Sequence, residues 1–527
     1  MITNITRTLL IFLGLLLPIS ICKSTRAIPQ FILDHSPMIF LYSEENYYPG
    51  DIANYIPKFQ LCLPSKNYNF VPNLEEELVK IGVDIPEEIC LEDKLKMSGL
   101  RKDYKAIFVK KDLEKGILKF ASINETDLVT NDNNADNEVL TFNIPSKALF
   151  MTRHSFNPQT PFFQGIKPTN MGRAPRTPAT LIVRYHHKDS NKEVKKHAMI
   201  TNYNANEIPD DVDLRDIEFI DAYWGLFYPF NEGAYVMGTG PWGNHLGDWE
   251  HVMVRFKPSF DSKDIEKNDL AQSFFVTNNY NDNDNEPPFF ASQIWLSAHS
   301  GGFAYDFTKI SKYDSNVSPR PSKPLIFSAK GTHANYASVG QHAHDVPFFF
   351  SALSDFTDRG LLWDVGSNYY GYSFDSFDDD DYGRYIDFIP SGERENELGT
   401  DWLNYRGRWG NAKLDKSHPL QKNGYVQWRY IDGPTGPIGK NLERERICER
   451  DYVANNYIYW NWFHLGSKCH IRRTIKKGAG LDAERGEFVG DNCGCLLYRI
   501  KPMWIRRFLE LLTWRGLLCY IMEFFTG

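Results

Sequence analysis

Apolar residues in this chain recur mostly at every second position in short runs, the spacing that sends alternate side chains to opposite faces of a strand. Runs of this kind fall at Pro37–Tyr42, Thr180–Tyr185, Ile217–Tyr228, Trp249–Phe256, Ser273–Val276, Gln293–Ala298, Pro324–Ala329 and Leu361–Val365. Two more, Ile107–Phe120 and Val139–Phe142, flank the polar loop Asn131–Glu138, while Leu74–Ile81 has helical spacing. Clusters of Gly, Pro, Asn and Asp separate the runs, and no 20- to 50-residue repeat is evident. The pattern predicts a mainly β chain, a jelly-roll-like β-sandwich with loop insertions. The insertions are Asn131–Glu138, Asn278–Glu286 and Asp378–Asp381, acidic or Asn-rich tracts without the spacing of a calcium loop.

Composition and charge narrow this picture modestly. At 527 residues there is material for a large core, and a net charge of −8 argues against nucleic acid as the main partner. Aromatic residues make up 14% of the chain, which suits strands and lipid- or glycan-facing surfaces. From Lys440 onward the balance reverses, with 15 Lys/Arg against 10 Asp/Glu. Residues 28–440 are therefore read as the sandwich-like domain, and 441–527 as a mixed, Cys- and aromatic-rich extension.

Residues 1–27 read as an address. Leu9–Cys22 is an apolar stretch of 14 residues preceded by Arg7, shorter than the roughly 20 residues of a membrane span. It is expected to be a secretory signal peptide cleaved between Cys22 and Ala27, or a signal anchor holding the chain to the membrane. The rest of the chain then lies in the lumen of the secretory pathway or vacuole, where disulfides persist. Cys62 and Cys90 are expected to pair. Cys448, Cys469, Cys493 and Cys495 are candidates for further bridges, with Cys519 also in this region. Sequons at Asn124 and Asn316 are glycosylation candidates.

The densest chemistry lies in Trp242–Val252. In an extended strand Asp248, Glu250, Val252 and Val254 share one face, while Trp249, His251, Met253 and Arg255 share the other. Two neighbouring carboxylates need a cation, a proton or a basic partner. His245 could join them if Gly247 supplies a turn. A His, Asp, Glu cluster rich in oxygen suits a divalent cation, calcium or magnesium before zinc. His251 is also a pocket candidate, as are His299 and His333 at strand ends beside glycines, and His342 and His344 just downstream. No Gly-x-Ser-x-Gly elbow accompanies Ser297 or Ser300, so nucleophilic catalysis is not indicated.

Several ordered segments carry a resemblance. Pro37–Pro49, Asp221–Asn231, Gly243–Val252, Ser297-Ala298-His299, Gly331-Thr332-His333-Ala334 and Gly360–Asp364 occur as in the vacuolar protein sorting-associated protein 62 family. The resemblance runs from Ser36 to Gly433 and implies a trafficking role with no established reaction. A shorter stretch resembles the necrosis-inducing-like cytolysins, jelly-roll-like proteins with a divalent cation at their membrane-facing end. There His245, Asp248 and Glu250 match the family's motif and Asn231 stands where a preceding Asp would. Asn231 and Gly247 depart from that motif, which removes a charge and a histidine. The reading that follows is a lumenal trafficking protein whose Asn231, His245, Asp248 and Glu250 hold a cation, with membrane lipid or glycan as partner. The alternative is a metal-dependent hydrolase of the lumen or vacuole, with Glu250 or a histidine as general base toward a metal-bound water.

Overall fold

The computed structural model describes residues 28–91, 103–109, 117–120, 139–153, 157–168, 177–187, 217–236, 239–259, 289–299, 301–313, 323–343, 354–377, 383–388, 398–424 and 427–449. It also describes the short pieces 452–453, 467–469, 471–472, 475, 480–482 and 487–489. The N-terminal address, Ser273–Val276, the acidic tracts, Asn124, Asn316, His344, Cys493 and Cys495 lie outside the described residues.

Among the described residues the chain is mainly β, as its alternation predicts, with mixed sheets and no barrel closure. Its centre is an eight-stranded sheet of β1 (Ala179–His187), β2 (Ile217–Asn231), β3 (His245–Pro258), β4 (Phe289–Ala298), β5 (Gly301–Asp306), β6 (Tyr369–Phe377), β7 (Gly383–Phe388) and β8 (Ile471–Arg472). The strand order is β7-β6-β1-β2-β3-β4-β5-β8. The β1–β5 run is antiparallel, whereas β6 joins β1 and β8 joins β5 in parallel. Strands buried on both faces need apolar residues at every position, and 14 of the 15 residues of β2 are buried.

Each face of this sheet packs a core. On one side Val183, Trp224, Val252, Val254 and Ile294 meet Ile39, Ile326 and Trp363. Those three come from Met38–Phe40, Leu325–Ser328 and Leu362–Asp364, strands of a four-stranded sheet. On the other side Tyr223, Phe227, Trp249, Met253 and Trp295 meet Leu61, Ile89, Ile144 and Met151 of a six-stranded sheet, together with Trp402 and Trp409. Sheet thus lies on sheet twice over, giving three layers where the sequence pattern alone suggested two. Burying each of these large side chains stabilises the fold by roughly 1.5–3 kcal/mol.

Both ends of the described chain are tied in. Phe31 and Ile32 of the short helix Gln30–Asp34 belong to the first core. Cys62 pairs with Cys90 across adjacent strands, and Cys448 pairs with Cys469. Leu442, Ile447 and Cys448 enter the second core beside Trp249. Among the described residues no helix is long and apolar enough to cross a membrane.

Candidate functional site

The site begins with the parity of β3. Val252 and Val254 enter one core, Trp249 and Met253 the other, so Asp248 and Glu250 fall on the Val252 face. Both carboxylates are buried. At Gly247 the backbone turns left-handed, with φ +62°. There the alternation reverses, since Leu246 joins the Trp249 core instead of opposing it. Strand β2 reverses at the matching place: Tyr228 lies in one core and Phe230 in the other, with Pro229 between them. The next registered pair, His245 and Asn231, is thereby turned to the carboxylate face. Only glycine fits at 247, because a Cβ there would sit 1.8 Å from the Trp409 carbonyl oxygen.

Two histidine-bearing turns close over these carboxylates. His299 and His333 both take φ +56°, a conformation uncommon for any residue with a side chain. The His299 backbone N–H donates to Glu250 Oε1 at 3.1 Å. Ser297 donates to Glu250 Oε2 and accepts the His251 backbone N–H at 2.6 Å. His333 Nδ1 lies 2.9 Å from Asp248 Oδ2, and its Nε2 lies 3.0 Å from the Tyr47 carbonyl oxygen. The His333 ring also stacks on Tyr228 at 3.7 Å. Both His333 nitrogens face acceptors, which the doubly protonated ring satisfies.

Asp355 locks the turns to each other. Its carboxylate accepts from Thr332 Oγ1 at 2.7 Å and from Tyr336 Oη at 2.6 Å, and it pairs with His299 Nε2 at 2.8 Å. Glu45 does the same from the N-terminal side, accepting the Gly331 N–H at 2.8 Å and the Asn46 and Tyr47 N–H groups at 2.9 Å. Most of this network is buried; the His299 side chain, 32% exposed, is its solvent-facing member.

Electrostatics separate the two strand carboxyls. Burial, followed by the charge of Asp248, pushes Glu250 up to about 8. Asp248 is held below the usual carboxylate range: burial opposes this, but the His333 hydrogen bond and the positive fields of His245 and His333 outweigh it. His333 is raised in turn, its burial outweighed by Asp248 and Glu45. Burial lowers His245. Repulsion between the carboxyls is thus relieved by a proton on Glu250 and an imidazolium beside Asp248. Both Glu250 oxygens are engaged, one by Ser297 and one by the His299 N–H, so service as a general base would require one of these contacts to open.

The sequence-predicted residues separate into two places. Asn231, His245, Asp248, Glu250, His299 and His333 gather at one end of the sheet. His342 sits just beyond, its ring stacked at 3.8 Å on Tyr336. His251 lies on the opposite face, fully buried, stacked on Tyr223 at 4.6 Å with Arg444 3.4 Å from its Nε2. Asn231 spends its side-chain N–H on the Gly243 carbonyl at 3.1 Å. The donors do not close into a preformed cation shell. Among the described residues the only trio of His, Cys, Asp or Glu with ligand atoms within 4.8 Å of one another is Cys62, Glu88 and Cys90. Its two cysteines are bonded to each other. One observation favours a further ligand beside Asp248: His245 Nδ1 is buried without a well-formed hydrogen bond among the described residues, its ring interacting only loosely with the Leu246 and Gly247 backbone. Asp355, Glu45 and Ser297 are members the sequence reading left out of the site. The Glu44-Glu45 pair beside Tyr47-Tyr48 was the one local signal for Glu45, since a carboxylate in a turn can cap successive backbone N–H groups.

Comparison with known proteins gives this geometry a family. No family model matches the chain, and no solved structure matches it. Vacuolar protein sorting-associated protein 62 of Saccharomyces cerevisiae is 37% identical over 514 residues, covering 96% of this chain and 84% of the relative. The relative named "Putative vacuolar protein sorting-associated protein TDA6", of the same yeast, is 37% identical over 513 residues, covering 95% of this chain and 84% of the relative. The chain belongs to the vacuolar protein sorting-associated protein 62 family.

Proposed function

We propose that this chain serves protein sorting to the vacuole as a lumenal binding protein of the secretory route, and that its ligand docks on the Asp248–Glu250 end of the central sheet. The names of its two yeast relatives support the sorting role. The observation that carries the site is a pair of left-handed histidines, His299 and His333, each held to a carboxylate of the same strand face. Strained backbone of this kind persists only where surrounding contacts over-determine it, and it clusters at ligand-binding positions. The charge pattern matches an acidic lumen, because protons on Glu250 and His333 complete the network. Partly exposed His299 is the group a ligand would meet first.

A second reading replaces the Glu250 proton with a divalent cation, calcium or magnesium, held by Asp248, Glu250 and His245. His245 Nδ1, buried without a well-formed hydrogen bond, favours it. Protons and cation would compete for the same oxygens, so cation stabilisation is expected to grow from pH 6 to pH 9. A thermal shift on adding calcium or magnesium that increases with pH, and disappears in Glu250→Gln, supports this version. No shift at either pH excludes it.

The sorting role is tested in cells lacking the chain, by following secretion of a vacuolar hydrolase. Wild-type chain is expected to restore vacuolar delivery. His299→Ala is expected to accumulate normally yet leave the hydrolase secreted. Full restoration by His299→Ala together with Asp248→Asn would remove the site from the function.

A further inference from the structure

A second surface, built by residues 413–424 and 427–432, lies beside the start of β3. The Gly243 N–H donates to the Trp428 carbonyl at 2.9 Å, Asn244 to Arg429 at 2.8 Å, and Ile431 back to Asn244 at 3.0 Å. The segment therefore runs alongside the residues that lead into the candidate site. Its charge runs against that of the molecule. Lys413, Lys416, Lys422 and Arg429 stand against two acids, Asp415 and Asp432, in a chain whose net charge is −8.

The acids here are occupied internally. Asp415 accepts the backbone N–H and hydroxyl of Ser417 at 2.8 and 2.7 Å. Asp432 pairs with Lys66 at 2.6 Å and accepts the Lys413 N–H at 2.7 Å. Lys413, Lys416 and Lys422 are exposed. Among them stand Leu420 and Ile431, exposed large apolar residues of a kind that folding normally covers. Trp428 and Trp242 are half-buried beside them.

We propose that this basic, apolar-tipped surface docks the protein on a membrane rich in anionic lipid. Clustered Lys and Arg are drawn to such a surface, while exposed aliphatic side chains and tryptophan suit the boundary between headgroups and acyl chains. A glycan would stack on an open indole face. Here the Lys413 ammonium stands 3.6 Å from the Trp428 ring centroid, and the Trp242 ring packs against Gly424. Charge complementarity and the two exposed aliphatics therefore select lipid over sugar.

The test uses the full chain and sedimentation with vesicles of phosphatidylcholine alone or mixed with phosphatidylserine, at low and high salt. The mixed vesicles are expected to carry down more protein, and high salt is expected to abolish the excess. Lys416→Glu with Lys422→Glu is expected to weaken the excess by about tenfold or more. Ile431→Ser is expected to weaken it at unchanged net charge. Each variant changes exposed side chains, so the thermal midpoint is expected to stay at the wild-type value. An excess that Glu250→Gln removes and the charge reversal leaves in place would put lipid binding at the candidate site and overturn the proposal. Equal sedimentation with both vesicle types overturns the proposal, as does an excess that the charge reversal leaves unchanged. Salt-insensitive retention on immobilised glycans that survives the reversal overturns it in favour of sugar.

Discussion

At the scale of single residues, the site is governed by where its protons sit. Glu250 holds its proton to about pH 8, against an ordinary value of 4.5. A raised folded value means its contribution to stability is complete below 4.5 and is lost as pH rises through about 8. His333, raised above 6.5, acts in the same direction. Asp248 is lowered from 3.8, so its contribution is present above that value and is lost as pH falls through its folded value. The cluster is therefore expected to be most stable in the mildly acidic range and to lose on the order of a few kcal/mol between pH 5 and pH 9. Urea denaturation across that range measures this loss. Glu250→Gln is expected to flatten the profile, and a flat wild-type profile would contradict the protonation scheme. Asp355 offers a second residue-level test, because two buried side chains, Thr332 and Tyr336, and the partly exposed His299 converge on it. Replacing Asp355 with Ala strips Thr332, Tyr336 and His299 of their acceptor and is expected to cost about 3 kcal/mol or more. Asp355→Asn keeps one acceptor oxygen and is expected to cost less in the same denaturation measurement.

At the scale of elements, one glycine decides which side chains meet. Gly247 reverses the parity of β3 while Pro229 reverses that of β2, and without both reversals His245 and Asn231 would point away from Asp248. Gly82 provides an internal control: it has a similar φ of +75°, but a Cβ there meets nothing within 4 Å. Gly82→Ala is expected to cost about 1 kcal/mol through backbone strain alone. Gly247→Ala adds a collision with the Trp409 carbonyl and is expected to cost clearly more in a chemical-denaturation comparison. Equal costs would mean that the Tyr55–Trp409 wall yields. The strands and the shared face of Asp248 and Glu250 were legible because a period of two is a local property of sequence. Gly247 was legible as a turn, since glycine tolerates what other residues resist. The partners of those carboxyls were not. Asp248 meets His333 at a separation of 85 residues, and Gly331 meets Glu45 at a separation of 286. No local spacing encodes such contacts. The parity that aligned the carboxyls also sent His251 to the other face, so its place was readable from the same alternation.

At the scale of the whole molecule, the C-terminal arm is held to the sheet by arginines that serve its backbone. Arg184 of β1 donates to the Leu442 carbonyl at 2.8 Å. Arg255 of β3 donates to the Glu445 and Arg444 carbonyls while gripping both oxygens of Asp221 at 2.7 Å. The shift toward basic composition after Lys440 signalled a boundary, yet Leu442 and Ile447 pack in the same core as Trp249. Composition reports charge, whereas the attachment depends on carbonyl groups that every sequence possesses. Removing Arg255 is expected to act at both ends of its contacts. In Arg255→Met, Asp221 stays buried beside His186, 3.0 Å away, whose charged form burial disfavours, and the loss is expected to be about 3–5 kcal/mol. Two arm carbonyls lose their donor at the same time. Arg184→Met removes one donor to the same arm and leaves the Asp221 ion pair intact, so it is expected to cost about 1–2 kcal/mol. Urea denaturation ranks the two variants. Limited proteolysis with the Cys448–Cys469 bond intact is expected to show faster cleavage after Lys440 in Arg255→Met than in the wild type. An unchanged cleavage rate would show that the disulfide and core contacts alone hold the arm, and that Arg255 serves only Asp221.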